Sequence, residues 1–266
     1  MCTTGAKVLV PGREFVLFKN RDFKRGQFDD RVSVTDRAFG VLGLETWDGL
    51  DPASDRFSGF SIGFNAHLAC CDSNVKTVEN GDNYDKFVQA VVEDCATIED
   101  AAERVRQIAG EGVYCWANML VATPDEVAAL EVRGHEVNVE RHPRFIARAN
   151  HHLCFGANAD DDDTVTTPVR YGLAFKGIRE AETLDDVFAL VRQHEPGLHY
   201  GICNHGMYET VYSYVVHWKD GETTFYAYQG HPCEGGEFTK VPVAFGQPND
   251  LSAYPSNRAV SPAIPD

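Results

Sequence analysis

The chain has 266 residues and a mass of 29.4 kDa, a length that suits one large domain. Hydrophobic residues make up 43%, enough for a packed core, and no apolar run approaches the ~18 residues of a membrane span. With 40 acidic residues against 24 basic ones the net charge is -16, and the basic face that a nucleic-acid binder needs is missing.

The start, Met1 to Lys7, lacks the basic-then-apolar pattern of a signal peptide, so a cytoplasmic protein is expected. Lys is scarce (8) beside Arg (16). An acidic, Lys-poor surface suits a high-salt cytoplasm, where screening removes self-repulsion, and a halophilic source is the resulting expectation.

In chain order, the first elements read as strands. Glu14 to Lys19 alternates and is β-rich, and Ala38 to Leu44 and Phe60 to Cys71 are similar, broken by glycines. Asn83 to Ala109 changes character: Tyr84, Phe87, Val88, Val91 and Val92 have helical spacing, and Thr97-Ile98-Glu99-Asp100 opens a second helix. Strands return at Val113 to Thr123, Glu126 to Val132, Glu136 to Glu140 and Arg144 to Ala149. Asp160 to Asp163 reads as a solvated loop. A second helix pair spans Val169 to Glu182 and Leu184 to His194, entered through Thr183-Leu184-Asp185-Asp186. Thr210 to Trp218, Thr223 to Tyr228 and Phe238 to Phe245 are strands, with Gly221 in the turn between the first two.

Strands, helix pair, strands, helix pair, strands: this order excludes regular βαβ alternation. It predicts an α+β domain over 1–246, a four-layer αββα sandwich of two antiparallel sheets, each covered by a helix pair. The segment 247–266, rich in Pro, Ser and Asn, reads as a loose tail.

Eight cysteines without small-scaffold spacing imply mostly buried thiols in a reducing compartment. Cys2 stands apart by position. Loss of Met1 would leave a thiol and a free α-amine on one residue. The amine titrates near ~7.7–8 in model peptides, so it can accept the thiol proton at neutral pH. Asp22, at the end of a predicted strand, is a candidate to hold that amine, and Lys19 or Arg21 to lower the thiol pKa. Asn74 and Asn150 are candidate oxyanion donors. Arg170, near a predicted helix start, is a candidate to tie the catalytic loop or bind a substrate carboxylate. Phe64, with Phe28 and Trp47, is a guess for the pocket wall.

These segments together resemble the cysteine-dependent N-terminal nucleophile hydrolases. The branch resembled is the acyl-coenzyme A:isopenicillin-N (6-aminopenicillanic acid) acyltransferase family, related to choloylglycine hydrolase, penicillin V acylase and acid ceramidase. Cys2-Thr3 matches their start, and Lys19-Asn20-Arg21-Asp22 matches an Arg-Asn-x-Asp element with Lys in place of Arg. Gly63-Phe64-Asn65 begins a Gly-x-Asn-Glu-x-Gly-Leu segment from which Ala66 and His67 depart. Asn74 falls at the oxyanion asparagine of the bile-salt branch, Ala149-Asn150-His151 resembles Thr-Asn-His, and Thr166 to Tyr171 resembles Ser-Ser-x-x-Arg-Tyr. Gly201 to His205 and Gly230 to Cys233 resemble two later landmarks.

The resemblance, over roughly 2 to 243, implies a linear-amide hydrolase or acyltransferase. Its Cys2 would form a thioester, Asp22 would fix the amine, and Asn150 with Asn74 would stabilise the oxyanion. Arg170 would hold the nucleophile's surroundings, and Lys19, Arg21 and Phe64 would face the substrate. The implied partner is a small N-acyl amide, with acyl-coenzyme A as a candidate donor; no cofactor or metal is implied. Enzymes of this kind often associate, which leaves a homo-oligomer open.

Three other readings stay open. One is a dipeptidase of another N-terminal-cysteine branch, and one a non-catalytic αββα relative. The third is a metal protein using His151, His152, Cys154, Cys203, His205, His231 and Cys233, although the Cys203–His205 and His231–Cys233 spacings are too tight for a zinc finger.

Overall fold

The computed structural model describes residues 1–23, 30–42, 59–156, 161–194, 201–246, 249, 251–252 and 254–255. Thirteen strands and four α-helices appear among them. The strands are β1 Cys2–Val10, β2 Glu14–Phe23, β3 Val32–Val34, β4 Ala38–Leu42, β5 Phe60–Asn65, β6 Ala69–Lys76, β7 Trp116–Ala122, β8 Val127–Arg133, β9 Glu136–His142, β10 Phe145–Arg148, β11 Glu209–Lys219, β12 Glu222–Gln229 and β13 Thr239–Val243. The helices are α1 Asp85–Asp94, α2 Ile98–Glu111, α3 Thr167–Glu180 and α4 Leu184–Val191.

The fold is α+β, with two antiparallel sheets. One runs β10-β1-β2-β11-β12-β13 and the other β3-β4-β5-β6-β7-β8-β9. Three apolar clusters fix the layers. Ala6, Val8, Phe15 and Leu17 of the six-stranded sheet meet Phe39, Ile62, Phe64 and Leu120 of the seven-stranded one. The opposite face of the first sheet, through Val16, Phe18 and Val215, packs on Ala174 and Ile178 of α3 and Val187 and Val191 of α4. The opposite face of the second, through Cys70, Met119 and Leu130, packs under Phe87 and Val91 of α1 and Val105 of α2. Each strand buries alternate residues on opposite sides, so apolar periodicity alone sorts side chains among the layers. The arrangement is compatible with the expected sandwich. No helix among the described residues is long and apolar enough to cross a membrane.

The helix starts follow the sequence signals. The Thr97 side chain accepts from the Asp100 N–H, and Thr183 and Asp186 form a reciprocal capping box. Phe60 to Cys71, expected as one strand, is a hairpin. Asn65 Oδ1 accepts from the N–H groups of His67 and Leu68, while its Nδ2 donates to the carbonyls of Val92 and Cys95. That amide makes the turn and ties it to α1. Gly63 is needed nearby, because a Cβ there would fall 2.7 Å from the Phe39 carbonyl oxygen. β1 gives no sequence signal, since Thr3-Thr4-Gly5-Ala6 is small and buried on both faces. The tail is not loose throughout: Tyr254 is buried, stacks on Phe225 and donates to Asp30.

Candidate active site

β1 and β2 bring the N-terminal end of the chain into the middle of a sheet. Cys2 pairs with Arg21 and Thr4 with Lys19. By strand alternation Cys2 shares the face of Ala6 and Val8, between the sheets, while Thr3 faces α3. Met1 adds one more rung: its amine donates to the Asp22 carbonyl at 2.9 Å, and the Asp22 N–H donates to the Met1 carbonyl at 2.8 Å.

The backbone of Cys2 is held on both sides by side chains distant in sequence. Its N–H donates to Asn150 Oδ1 at 3.0 Å, and its carbonyl accepts from Arg170 Nη1 at 2.7 Å. Arg170, fully buried in the first turn of α3, also donates to Thr3 Oγ1 (3.0 Å), Asn150 Oδ1 (2.8 Å) and Asp163 Oδ2 (2.7 Å). Burial pushes the Asp163 carboxyl up, but the Thr166 hydroxyl and the Arg170 charge outweigh it and hold the pKa below the ordinary value.

Asn150 is itself anchored. Its N–H donates to Thr167 Oγ1 at 2.7 Å, and its Nδ2 donates to the Asn74 carbonyl at 2.6 Å. The opposite sheet props the same loop. Ser73 Oγ and Asn118 Nδ2 both donate to the Ala149 carbonyl, and Asn118 also to that of His151.

The Cys2 side chain opens on a small pocket lined also by Lys19, Arg21, Asp72, Tyr84 and Asp85. Lys19 Nζ donates to Asp72 Oδ1 (2.7 Å), Ser61 Oγ (2.6 Å) and the Ser61 carbonyl (2.9 Å), and the Lys19 and Asp72 side chains are 1% and 2% exposed. Burial alone would lower the pKa of the ammonium. The Asp72 charge, helped by that of Cys2, more than offsets this and raises the Lys19 pKa. Arg21 pairs with Asp30 at 3.1 Å.

Asp22 alternates onto the other face, with Phe18 and Asn20. It accepts from Thr210 Oγ1 at 2.7 Å and Asn204 Nδ2 at 3.3 Å. Burial raises its pKa, against the lowering by Arg170 and the chain amine. The amine of Met1 is lowered, first by burial, with Arg170 and Lys19 adding to the effect and Cys2 and Asp22 opposing it.

Cys2, Asp22, Asn150 and Arg170, expected together, are thus gathered around one backbone corner. Three expectations need correction. Asn74 gives one amide hydrogen to Asp162 Oδ2 at 2.9 Å and touches the site through its backbone carbonyl, which accepts from Asn150. Lys19 has three hydrogens and three protein acceptors, so it is committed to the cross-sheet ion pair rather than to a substrate. Phe64 is stacked on Phe39 in the inter-sheet core, because its place in β5 points it inward. Phe28 and Trp47 lie outside the described residues.

Sequence reasoning did not single out Asp72, Ser73, Asn118, Asp163, Thr167 and Thr210 as working groups. A trace existed for Asn118, the one polar side chain in the apolar strand Trp116–Ala122. The candidate metal ligands divide. His151 sits on Thr167 and His152 on the Ala117 carbonyl, away from Cys203, His205, His231 and Cys233, which touch one another. All eight cysteines are free thiols. No protein-family model matches the chain, and no curated protein matches it.

Proposed function

We propose that the protein is a cysteine amidase of the N-terminal nucleophile type, cleaving the linear amide bond of a small N-acyl substrate. The reading rests on one observation: the nitrogen and carbonyl of Cys2 are clamped by Asn150 and Arg170 at 3.0 and 2.7 Å, a precision that an incidental second residue does not need. It requires that Met1 be removed. Cys2 then carries both the thiol and the α-amine, and that nitrogen already has an acceptor waiting in Asn150 Oδ1.

Burial, Arg170 and Lys19 depress the amine of Met1. An amine one residue on meets the same surroundings, which favour its neutral, proton-accepting form. It takes the thiol proton, and the sulfur attacks the substrate carbonyl with Lys19 and Arg21 supplying positive charge beside the thiolate. Asn150 Nδ2 has a second hydrogen to give the developing oxyanion, and losing one such donor costs roughly 10²–10³-fold in rate. The amine returns its proton to the leaving nitrogen. The thioester then passes its acyl group to water, giving hydrolysis, or to an acceptor amine, giving transfer.

The test is a panel of N-acyl amides (acyl amino acids, penicillin V, acyl-homoserine lactones, conjugated bile salts) in high salt, on wild type and Cys2→Ser, together with the intact mass. The expected result is a mass lacking Met1, turnover by wild type and its loss in Cys2→Ser. Equal turnover by both proteins, or an active protein that keeps Met1, overturns the reading.

A further inference from the structure

A second cluster of reactive side chains lies behind the Asp22 face of the sheet. His205 Nε2 is 3.0 Å from Cys233 Sγ and 3.5 Å from Cys203 Sγ. One donor atom each of His194, His205 and Cys233 lies within 4.8 Å of the other two. The His194 and His205 rings are 4.3 Å apart between centroids. The residues come from three places: just beyond α4, the loop 201–206, and the short 3-10 turn Pro232–Glu234 after β12. His194 Nδ1 is 3.3 Å from the Cys203 carbonyl, so a proton on Nδ1 leaves the Nε2 lone pair to bind.

Two thiols and two imidazoles are the donor set of closed tetrahedral zinc sites. With bonds of ~2.3 Å to sulfur and ~2.0–2.1 Å to nitrogen, such donors stand roughly 3.5 Å apart, the spacing His205 keeps from Cys203, while Cys233 at 3.0 Å has only to move outward by about half an ångström. Their sequence spacing fits no finger motif because the four converge from three separate places in the chain.

We propose that His194, Cys203, His205 and Cys233 bind one Zn²⁺ ion in a structural site. Binding expels the two thiol protons to solvent and leaves two thiolates and two neutral imidazoles on the metal. With four protein donors there is no open position for water, so the ion does no hydrolysis. What it does is fasten the turn carrying Asn204, which donates to Asp22 at 3.3 Å, against the end of α4. The site does not depend on the amidase reading, since a protein inert toward amides would still bind the metal.

The experiment uses reduced full-length protein under an inert atmosphere, in a Cys2→Ser background so that the nucleophile thiol adds no signal. Equimolar Co²⁺ is expected to give tetrahedral visible bands and sulfur-to-cobalt charge transfer, both abolished by one equivalent of Zn²⁺. His205→Ala and Cys233→Ser should each remove the spectrum. If either variant fails to fold, thiol titration of the parent decides: Zn²⁺ is expected to protect two thiols from reagent. Absence of the cobalt spectrum, a spectrum that survives His205→Ala, or a thiol count unchanged by Zn²⁺ overturns the proposal.

Discussion

Arg170 Nη1 lies 2.7 Å from the carbonyl oxygen of Cys2, closing a sequence separation of 168 residues. The same guanidinium holds Thr3, Asn150 and Asp163, so one fork fixes the first strand, the Asn150 loop and the entry to α3.

Removing that fork should loosen all three. In Arg170→Met the buried Asp163 carboxylate loses its ion partner, an expected cost of about 3–5 kcal/mol in urea unfolding. Arg170→Lys keeps the charge but not the planar geometry, and should fall between wild type and Arg170→Met in stability while losing most amide turnover. Wild-type unfolding midpoints for both would show that the network is not structural.

Lys19 and Asp72 form a buried pair that bridges the two sheets. Lys19→Met alone leaves the Asp72 carboxyl, whose pKa burial and Asp85 already push up, without its buried partner and should cost about 3–5 kcal/mol. The double variant Lys19→Met/Asp72→Leu should recover most of that loss. A double-mutant cycle measures the coupling, and additive losses would contradict it.

Acid should act through Asp163, whose folded pKa is held below the ordinary value by Thr166 and Arg170. A depressed carboxylate adds stability that is complete above the unfolded pKa of about 3.9 and is lost as pH falls through the folded value. The urea midpoint of wild type should therefore drop steeply below about pH 4. Asp163→Asn should start lower and fall less over the same range.

Phe64→Ala tests the reassignment of that ring to the core. Its contacts with Phe39 and Phe225 predict a loss of about 3–5 kcal/mol. The ranking of amide substrates should stay unchanged, and an altered ranking at wild-type stability would return Phe64 to the pocket.

The acidic composition predicts a further response. Raising KCl from dilute to molar concentration should increase the thermal midpoint, because screening relieves repulsion among the excess carboxylates. A midpoint highest in dilute buffer would remove the high-salt origin.

The helix starts were legible because Thr97 and Thr183 cap locally, within three residues. Cys2, Asp22, Asn150 and Arg170 were legible because each sits in a short motif whose order along the chain resembles a family. Asn74 and Lys19 were misread for a common reason. A motif names a residue type, while the direction of its side chain depends on partners such as Asp162 and Asp72 that no local pattern pairs with it. β1 was silent because buried small residues carry no alternation.

The six-stranded sheet works as a bulkhead. By strand alternation the Cys2 side chain lies on its inner side and the Asp22 carboxylate, with the His205 cluster behind it, on its outer side, while the Asn150 amide reaches from Arg170 on one side to the Asn74 carbonyl on the other. A change on the outer side can therefore be felt at Cys2 through that amide without any new atom entering the small pocket on the inner side.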